Sequence, residues 1–423
     1  MGLNDTPKGE RIHIAVFGKR NAGKSSLINS ITGQDLSIVS EIRGTTTDPV
    51  YKAMELLPLG PVMMIDTPGL DDEGELGALR IQKTKKVLNK TDVAVVVVDG
   101  GTIGEASEKT TNNIEEFIEE SGLEVEEELV KEIRERKLPC LVVLNKKEEC
   151  ADVEKALEYL QKQLGGVQAA AVSAKEMDGI YELKEMLGKL AKTAEEDKPI
   201  VGDLLEPGDF VVLVVPIDSA APKGRLILPQ QQVIRDVLEA DATSIVVREY
   251  ELARTLKNLG KKPKIVITDS QAFSEVSKDV PEDILLTSFS ILFSRYKGNL
   301  RQQVEGVKAL ETLEDGDCIL MAEGCTHHRQ CDDIGTVKIP RWLKKFTGKE
   351  IQFETSSGTG FPEDLSPYKI VVHCGGCTLN KKEMQYRLGQ AKEQGVPIVN
   401  YGVLIAYMKG ILKRSLEPFG DMC

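Results

Sequence analysis

Residues 18–25, Gly-Lys-Arg-Asn-Ala-Gly-Lys-Ser, fit the pattern G-x-x-x-x-G-K-[ST]. An apolar run at 11–18 leads into the loop, and a helical pattern at 24–32 leaves it. Strand, glycine loop and helix in that order imply a parallel α/β sheet covered on both faces. The order also leaves backbone N–H groups free at a helix N-terminus, where they bind anions. Gly18 and Gly23 let the loop curl around phosphates, with Ala22 and Ser26 in the same turn. Lys24 is placed to meet the β/γ-phosphates, and Ser25 can give its hydroxyl to Mg²⁺.

The 423 residues suggest about three domains. With 41% hydrophobic and 29% charged residues, the balance is that of a soluble globular chain. The longest aliphatic run, 93–98, is far short of the roughly 20 apolar residues that a membrane helix needs. With no apolar leader either, the expected location is cytoplasmic, away from membranes. Met1-Gly2 through Thr6 fits a short myristoylation pattern, but no basic cluster follows it. A net charge of −13, 5% aromatics and one tryptophan, Trp342, argue against a nucleic-acid partner.

Strand-like runs at 62–66, 93–99, 141–145 and 169–173 extend the first α/β unit to residue 198. Within it, eight glutamates between Glu115 and Glu128 read as a solvated helical face. A small α+β unit spans 199–262, with one apolar strand at 210–217. So thin a core with exposed strand edges is expected to pack against its own copy, making a homodimer. A second parallel α/β unit is expected at 263–423, with strands at 264–269, 284–287, 318–322, 350–355, 369–373 and 397–401.

Further elements follow the phosphate loop in a GTPase order. Thr45-Thr46-Thr47 offers hydroxyls for Mg²⁺, Thr46 first and Thr45 as the alternative. Asp66-Thr67-Pro68-Gly69 ends a strand; Asp66 can hold Mg²⁺ through water, and the Gly69 N–H can touch the γ-phosphate. Asn145-Lys146-Lys147-Glu148 and Ser173-Ala174-Lys175 resemble the guanine-reading elements of Ras-like GTPases, with Glu148 standing where that family has aspartate. Glu148 also reads as a plain surface residue beside a helix. Asn21, the 44–48 loop and Leu70 resemble the tRNA-modification GTPases. That likeness implies K⁺ held at Asn21. It also implies slow hydrolysis, because leucine cannot orient water as the Ras-type glutamine does. Glu73 and Glu75 could orient water, or be solvated loop carboxylates.

Of eight cysteines, six fall after residue 317. Cys325 and His327 follow one expected strand; His373, Cys374 and Cys377 end another. Sites in parallel sheets form beyond the carboxyl ends of strands, so these five side chains are expected to gather. Asn380 and Glu383 read as a capping box, putting a helix N-terminus just past Cys377. Cys325, Cys374, Cys377 and one histidine suit Zn²⁺; three thiolates with an exchangeable fourth position suit [4Fe–4S]; spacing alone does not choose. Cys318 reads as core and Cys331 as a spare thiol.

A GTPase unit, a short middle unit and a C-terminal Cys325-Thr-His327 … His373-Cys374-Gly-Gly-Cys377 signature together resemble the HydF family, the GTPase scaffolds of [FeFe]-hydrogenase maturation. The likeness runs over nearly the whole chain. It implies a [4Fe–4S] cluster on Cys325, Cys374 and Cys377. The fourth position is expected to be labile and filled by a histidine, a carboxylate or water, and His327 and His373 flank the cysteines closely enough to be ligands or donors to sulfur. It further implies a transient diiron precursor, made with radical-SAM maturases and delivered to the hydrogenase. The rival is an Era- or tRNA-modification-like GTPase with a zinc-bound interaction module.

Overall fold

The computed structural model describes residues 6–33, 48–70, 83–103, 123–194, 198–216, 226–325 and 333–420. Thr45, Thr46, Glu73, Glu75, His327 and Cys331 lie outside these residues, as does the first part of the glutamate run. The chain forms two units, Met1–Glu196 and Asp197–Cys423.

The first unit holds a six-stranded sheet. Its strands are β1 (Ile12–Gly18), β2 (Val50–Leu56), β3 (Gly60–Asp66), β4 (Val93–Asp99), β5 (Cys140–Asn145) and β6 (Ala169–Ala171), in the order β2-β3-β1-β4-β5-β6. All neighbours pair in parallel except β2, which runs antiparallel to β3 at the edge. Val93, Val95 and Val97 feed one buried face while Ala94, Val96 and Val98 feed the other. A strand covered on both sides reads as an unbroken apolar run, which is why β4 stands out in the sequence. Edge strand β2 alternates from Tyr51 on, and both Val50 and Tyr51 are exposed. Its mixed run of valine, tyrosine, lysine and glutamate hides it among loop-like sequence.

Helix Glu124–Glu135 carries the described end of the glutamate run. Leu129, Val130 and Ile133 bury one face. Glu126 departs from the expected solvated face: it is only 2% exposed, and its carboxylate lies 3.4 Å from Lys19 Nζ of the phosphate loop.

The second unit contains two four-stranded sheets, each wholly parallel. One has β7 (Phe210–Val214), β8 (Thr243–Val247), β9 (Ile265–Thr268) and β10 (Leu285–Ser288), ordered β10-β9-β7-β8. The other has β11 (Cys318–Glu323), β12 (Gln352–Ser357), β13 (Ile370–His373) and β14 (Ile398–Asn400), ordered β12-β11-β13-β14. The expected boundary at 262 therefore falls inside a sheet, because β9 and β10 pair with β7 rather than with β11. β7 also differs from expectation. It is a central strand with Val211–Val214 fully buried, not an unpartnered edge. Val212, Val214, Val266 and Leu286 of the first sheet share one core with Ile319, Met321, Ile370 and Val372 of the second.

Helix Tyr401–Met408, sequence YGVLIAYM, joins that shared core. A helix apolar on every side must be buried on every side. Asn400 caps it, its Oδ1 accepting from the Gly402 N–H at 2.7 Å. The strand expected to reach residue 401 thus stops at Asn400, and Tyr401 opens a helix at the carboxyl edge of the sheet.

The two edges of the β7 sheet differ. Helix Leu412–Leu416 covers β10, where Thr287 Oγ1 donates to the Ser415 carbonyl at 3.0 Å. β8 is the open edge: Val246 is 44% exposed and Tyr250 just beyond it 66%. The Thr243 N–H donates to Asp209 in the ladder, so by alternation the N–H groups of Ser244 and Val246 face away from β7.

Candidate functional site

Two candidate sites occupy the carboxyl ends of parallel strands, one in each unit. In the first, β1 runs into the phosphate loop. Gly18 has φ 144, and Gly23 caps helix Lys24–Thr32 at φ 86. Gly23 has little alternative, since a Cβ there would stand 2.2 Å from Asn145 Nδ2. Asn21 takes a left-handed φ of 63 without being glycine. No side chain caps the helix, so its first N–H groups stay available to an anion. Lys24 is 8% exposed and donates to the carbonyls of Gly18 at 3.0 Å and Lys19 at 2.6 Å. Its ammonium is thereby folded over the loop. Ala22 is buried, and Ser26 is exposed on the first helical turn.

Ser25 Oγ donates to Asp66 Oδ2 at 2.6 Å. Burial raises the Asp66 pKa, while Ser25, Lys24 and Lys52 oppose that shift. Asp66 Oδ1 is buried without a hydrogen-bond partner among the described residues. A serine hydroxyl beside an orphaned carboxylate oxygen is a donor set that fits Mg²⁺, a hard cation with oxygen ligands. Gly69 lies against the Arg20 backbone, where a Cβ would meet Arg20 Cα at 2.9 Å. Leu70 packs on the core under the sheet.

The base-reading loops converge on Asn145. Its Nδ2 donates to the Ala22 carbonyl at 3.0 Å, and its Oδ1 accepts from the Ala174 N–H at 3.1 Å. One amide thus ties the phosphate loop to both expected guanine-reading elements. Lys146, at φ 59, pairs with Asp99 at 2.5 Å. Ser173 is buried with its Oγ accepting from Glu176, while Lys175 and Glu148 are exposed.

In the second unit, β11 ends at Glu323 with Gly324 and Cys325 beyond it, and β13 ends at His373 with Cys374 beyond it. The Cys374 sulfur accepts from the N–H groups of Gly324 at 3.1 Å and Gly376 at 3.4 Å. Thr378 Oγ1 donates to the Gly324 carbonyl at 3.0 Å and joins the two strand ends. Burial pushes the Cys374 thiol up to about 12, with Cys377 and Cys325 nearby adding to it and the two backbone N–H groups opposing. The Gly324 contact sets the strand end before Cys325 beside Cys374, with Cys377 three residues further on. Among the described residues, no group of three or more His, Cys, Asp or Glu side chains is placed to hold a metal ion. The chemistry of the set, soft sulfur with N–H donors on it, nevertheless fits an iron–sulfur cluster or zinc.

His373 faces away from this group. It is fully buried, with Nδ1 2.7 Å from the Cys374 carbonyl oxygen and Nε2 3.1 Å from Arg387 Nη1. Arginine only donates, so Nε2 accepts and Nδ1 carries the proton. Both ring nitrogens are hydrogen-bonded in this arrangement, and the ring braces the Cys374 backbone. Burial, then the Arg387 charge, depress its pKa to about 3. Arg387, fully buried, also bonds Glu383 at 3.0 and 2.9 Å and the Gly358 carbonyl at 2.5 Å, and lies 4.9 Å from the Phe361 ring centroid. Asn380 caps helix Lys381–Glu393 as expected, and Glu383 turns to Arg387. Lys297, 1% exposed, donates to the carbonyls of Cys377 at 3.2 Å and Leu379 at 2.7 Å and so holds the cysteine loop.

The sequence gives Arg387, Lys297 and Tyr401 no functional role. For Tyr401 a signal exists, because it follows the third strand end of the same sheet. Arg387 and Lys297 sit in ordinary helical patterns with no such mark.

Three family models match the chain. The 50S ribosome-binding GTPase model covers residues 13–146, the hydrogen maturase F dimerization domain 200–298, and the hydrogen maturase F tetramerization domain 301–418. Curated relatives match the GTPase unit. GTPase Der of Wolinella succinogenes is 31% identical over 187 residues, covering 42% of this chain and 36% of the relative. The tRNA modification GTPase MnmE of Desulfotalea psychrophila is 30% identical over 178 residues, covering 42% and 34%. This chain therefore spans about a third of the length of those relatives. Among solved structures, Aquifex aeolicus Era bound to GDP·AlF4⁻ matches at 19% identity and a TM-score of 0.33, covering 56% of this chain and 94% of that one. Two maturase models that leave only residues 299 and 300 between them, preceded by a GTPase model, account for both units in order, and the chain belongs to the hydrogen maturase F (HydF) family.

Proposed function

We propose that this chain is a GTP-hydrolysing, self-associating scaffold that holds a [4Fe–4S] cluster on Cys325, Cys374 and Cys377. Its cargo is a diiron precursor, taken over from radical-SAM maturases and delivered to [FeFe]-hydrogenase. The observation that supports this is the Gly324 N–H donating to the Cys374 sulfur, which sets the strand end before Cys325 beside the Cys374–Cys377 loop, inside the part matched by the hydrogen maturase F models. When bound, the cluster supplies an iron with a position that protein sulfur does not fill. The chain's own part is to aim N–H groups at Cys374, to fix its carbonyl through His373 and Arg387, and to hold the Cys377 loop through Lys297. Anaerobic iron, zinc and sulfide analysis with EPR of the reduced protein tests the proposal. Brown protein with iron and sulfide in near-equal amounts is expected. A colourless protein holding one zinc would overturn the cluster and favour the interaction-module alternative.

In the first unit, GTP and Mg²⁺ are the expected ligands, with Lys24 on the β/γ-phosphates and Ser25 and Asp66 on the metal. K⁺ at Asn21 would supply the positive charge that an arginine finger supplies elsewhere. Hydrolysis is expected to be slow, and about tenfold or more faster in K⁺ than in Na⁺ at equal ionic strength, since one added charge contact on the phosphates is worth at least that much. Equal rates in the two salts would remove K⁺ from the site, and a preference for ATP would remove the guanine assignment.

The open edge of β8 is the expected dimer contact. Two copies related by a two-fold axis can join their β8 strands antiparallel and extend the sheet. Val246→Pro deletes an outward N–H and leaves the ladder to β7 intact. By light scattering this variant is expected to be monomeric where the wild type is dimeric. An unchanged dimer places the contact elsewhere.

A further inference from the structure

The hydroxyl of Tyr401 stands out in the second unit. Tyr401 is 5% exposed, and its Oη has no hydrogen-bond partner among the described residues. A buried hydroxyl without a partner is costly, so natural chains rarely keep one without a use. A phenylalanine would fill the same space free of that cost.

The surroundings give the hydroxyl a direction. Tyr401 opens the helix after β14, beside β13, so its ring sits at the same sheet end as Cys374. A Cβ on Gly335 would stand 2.4 Å from Tyr401 Oη and 2.4 Å from Glu323 Oε1, so the phenol and the 4%-exposed Glu323 carboxylate pack on one spot. Burial raises the Tyr401 pKa well above its usual value, followed by the nearby Cys374, Glu323, Asp333 and Cys325. Two of the three cysteines and two carboxylates thus lie near a neutral donor that makes no hydrogen bond among the described residues.

We propose that Tyr401 is a binding residue of the cysteine site, its O–H donating to the anionic ligand at the position that Cys325, Cys374 and Cys377 leave open. The inference rests on the cluster assignment above. It adds a selective element: an anion with a lone pair facing Tyr401 is favoured there, and a neutral ligand without an acceptor is not. No proton is transferred; the phenol stays protonated and the contact is a hydrogen bond.

The test uses full-length protein reconstituted anaerobically with iron and sulfide, with cyanide as the anionic probe, followed by EPR of the reduced cluster. Tyr401→Phe is expected to load the same iron and to bind cyanide about tenfold or more weakly, the value of one hydrogen bond to a charged acceptor. Its apoprotein is expected to melt no lower than wild type, because no hydrogen bond among the described residues is lost. 3-Fluorotyrosine at position 401 keeps the ring and strengthens the donor, and is expected to tighten cyanide instead. This second variant reads the same contact if phenylalanine impairs folding. Equal cyanide affinity in wild type and both variants overturns the proposal while the cluster stands. A wild-type protein that takes up no iron and sulfide overturns both.

Discussion

Replacing Cys374 with serine is expected to remove most of the iron from the protein and leave GTP turnover at the wild-type rate. The sulfur and the carbonyl of Cys374 are both held. Two backbone N–H groups already point at its sulfur, and its carbonyl is held by a histidine that is itself held by a buried arginine. Such outer contacts orient a ligand and are worth about 10–100-fold in affinity at metal sites. A serine hydroxyl keeps the shape but loses the soft thiolate that iron–sulfur clusters require. Cys325→Ser and Cys377→Ser are expected to behave alike. Cys318→Ser is the control, since Cys318 begins β11 at the end of the strand opposite Glu323. The measurement is iron and sulfide per protomer after anaerobic reconstitution, with GTP hydrolysis on the same samples. Full iron in Cys374→Ser, or loss of turnover together with the iron, would count against two independently built sites.

What the sequence made legible follows from how far each signal reaches along the chain. The phosphate loop is local: eight consecutive residues specify strand end, turn and helix start, and the structure keeps all three. The cysteine site is legible because parallel sheets collect their strand ends, so two distant short motifs could be placed together. Strand pairing is not local. β9 and β10 carry the same apolar pattern as β11 and β13, and nothing in IVIT or LLTS says which sheet they join. Only tertiary packing decides, and it put them beside β7. His373 shows a related limit: its spacing suits a ligand, but its role was set by Arg387, fourteen residues on and buried against it. Tyr401 was assigned to a strand because a short apolar run does not distinguish strand from buried helix. The Asn400 cap decides that point, and with it which way the phenol faces.

Lys24→Ala is expected to reduce GTP hydrolysis by about 10²–10³-fold, the scale seen when one preorganised charge contact on a transition state is removed. Lys24 is 8% exposed, and its ammonium is held over the loop by the Gly18 and Lys19 carbonyls, so it is positioned before any phosphate arrives. In so enclosed a place a positive charge acts on phosphate oxygens with little screening. No other lysine or arginine donates to the Gly18 or Lys19 carbonyl in the described contacts; Lys19 itself turns to Glu126. Alanine suits a helix start, so the fold of the unit is expected to persist and the loss to be one of function. Lys24→Arg is the sharper comparison. A planar guanidinium carries the charge but cannot fit the two-carbonyl seat of a compact ammonium, so it is expected to stay within about tenfold of alanine rather than of wild type. Iron content should be unchanged in both variants, because Lys24 and the cysteines belong to different units. If Lys24→Ala hydrolyses GTP within tenfold of wild type, residues 18–25 do not form the catalytic phosphate site.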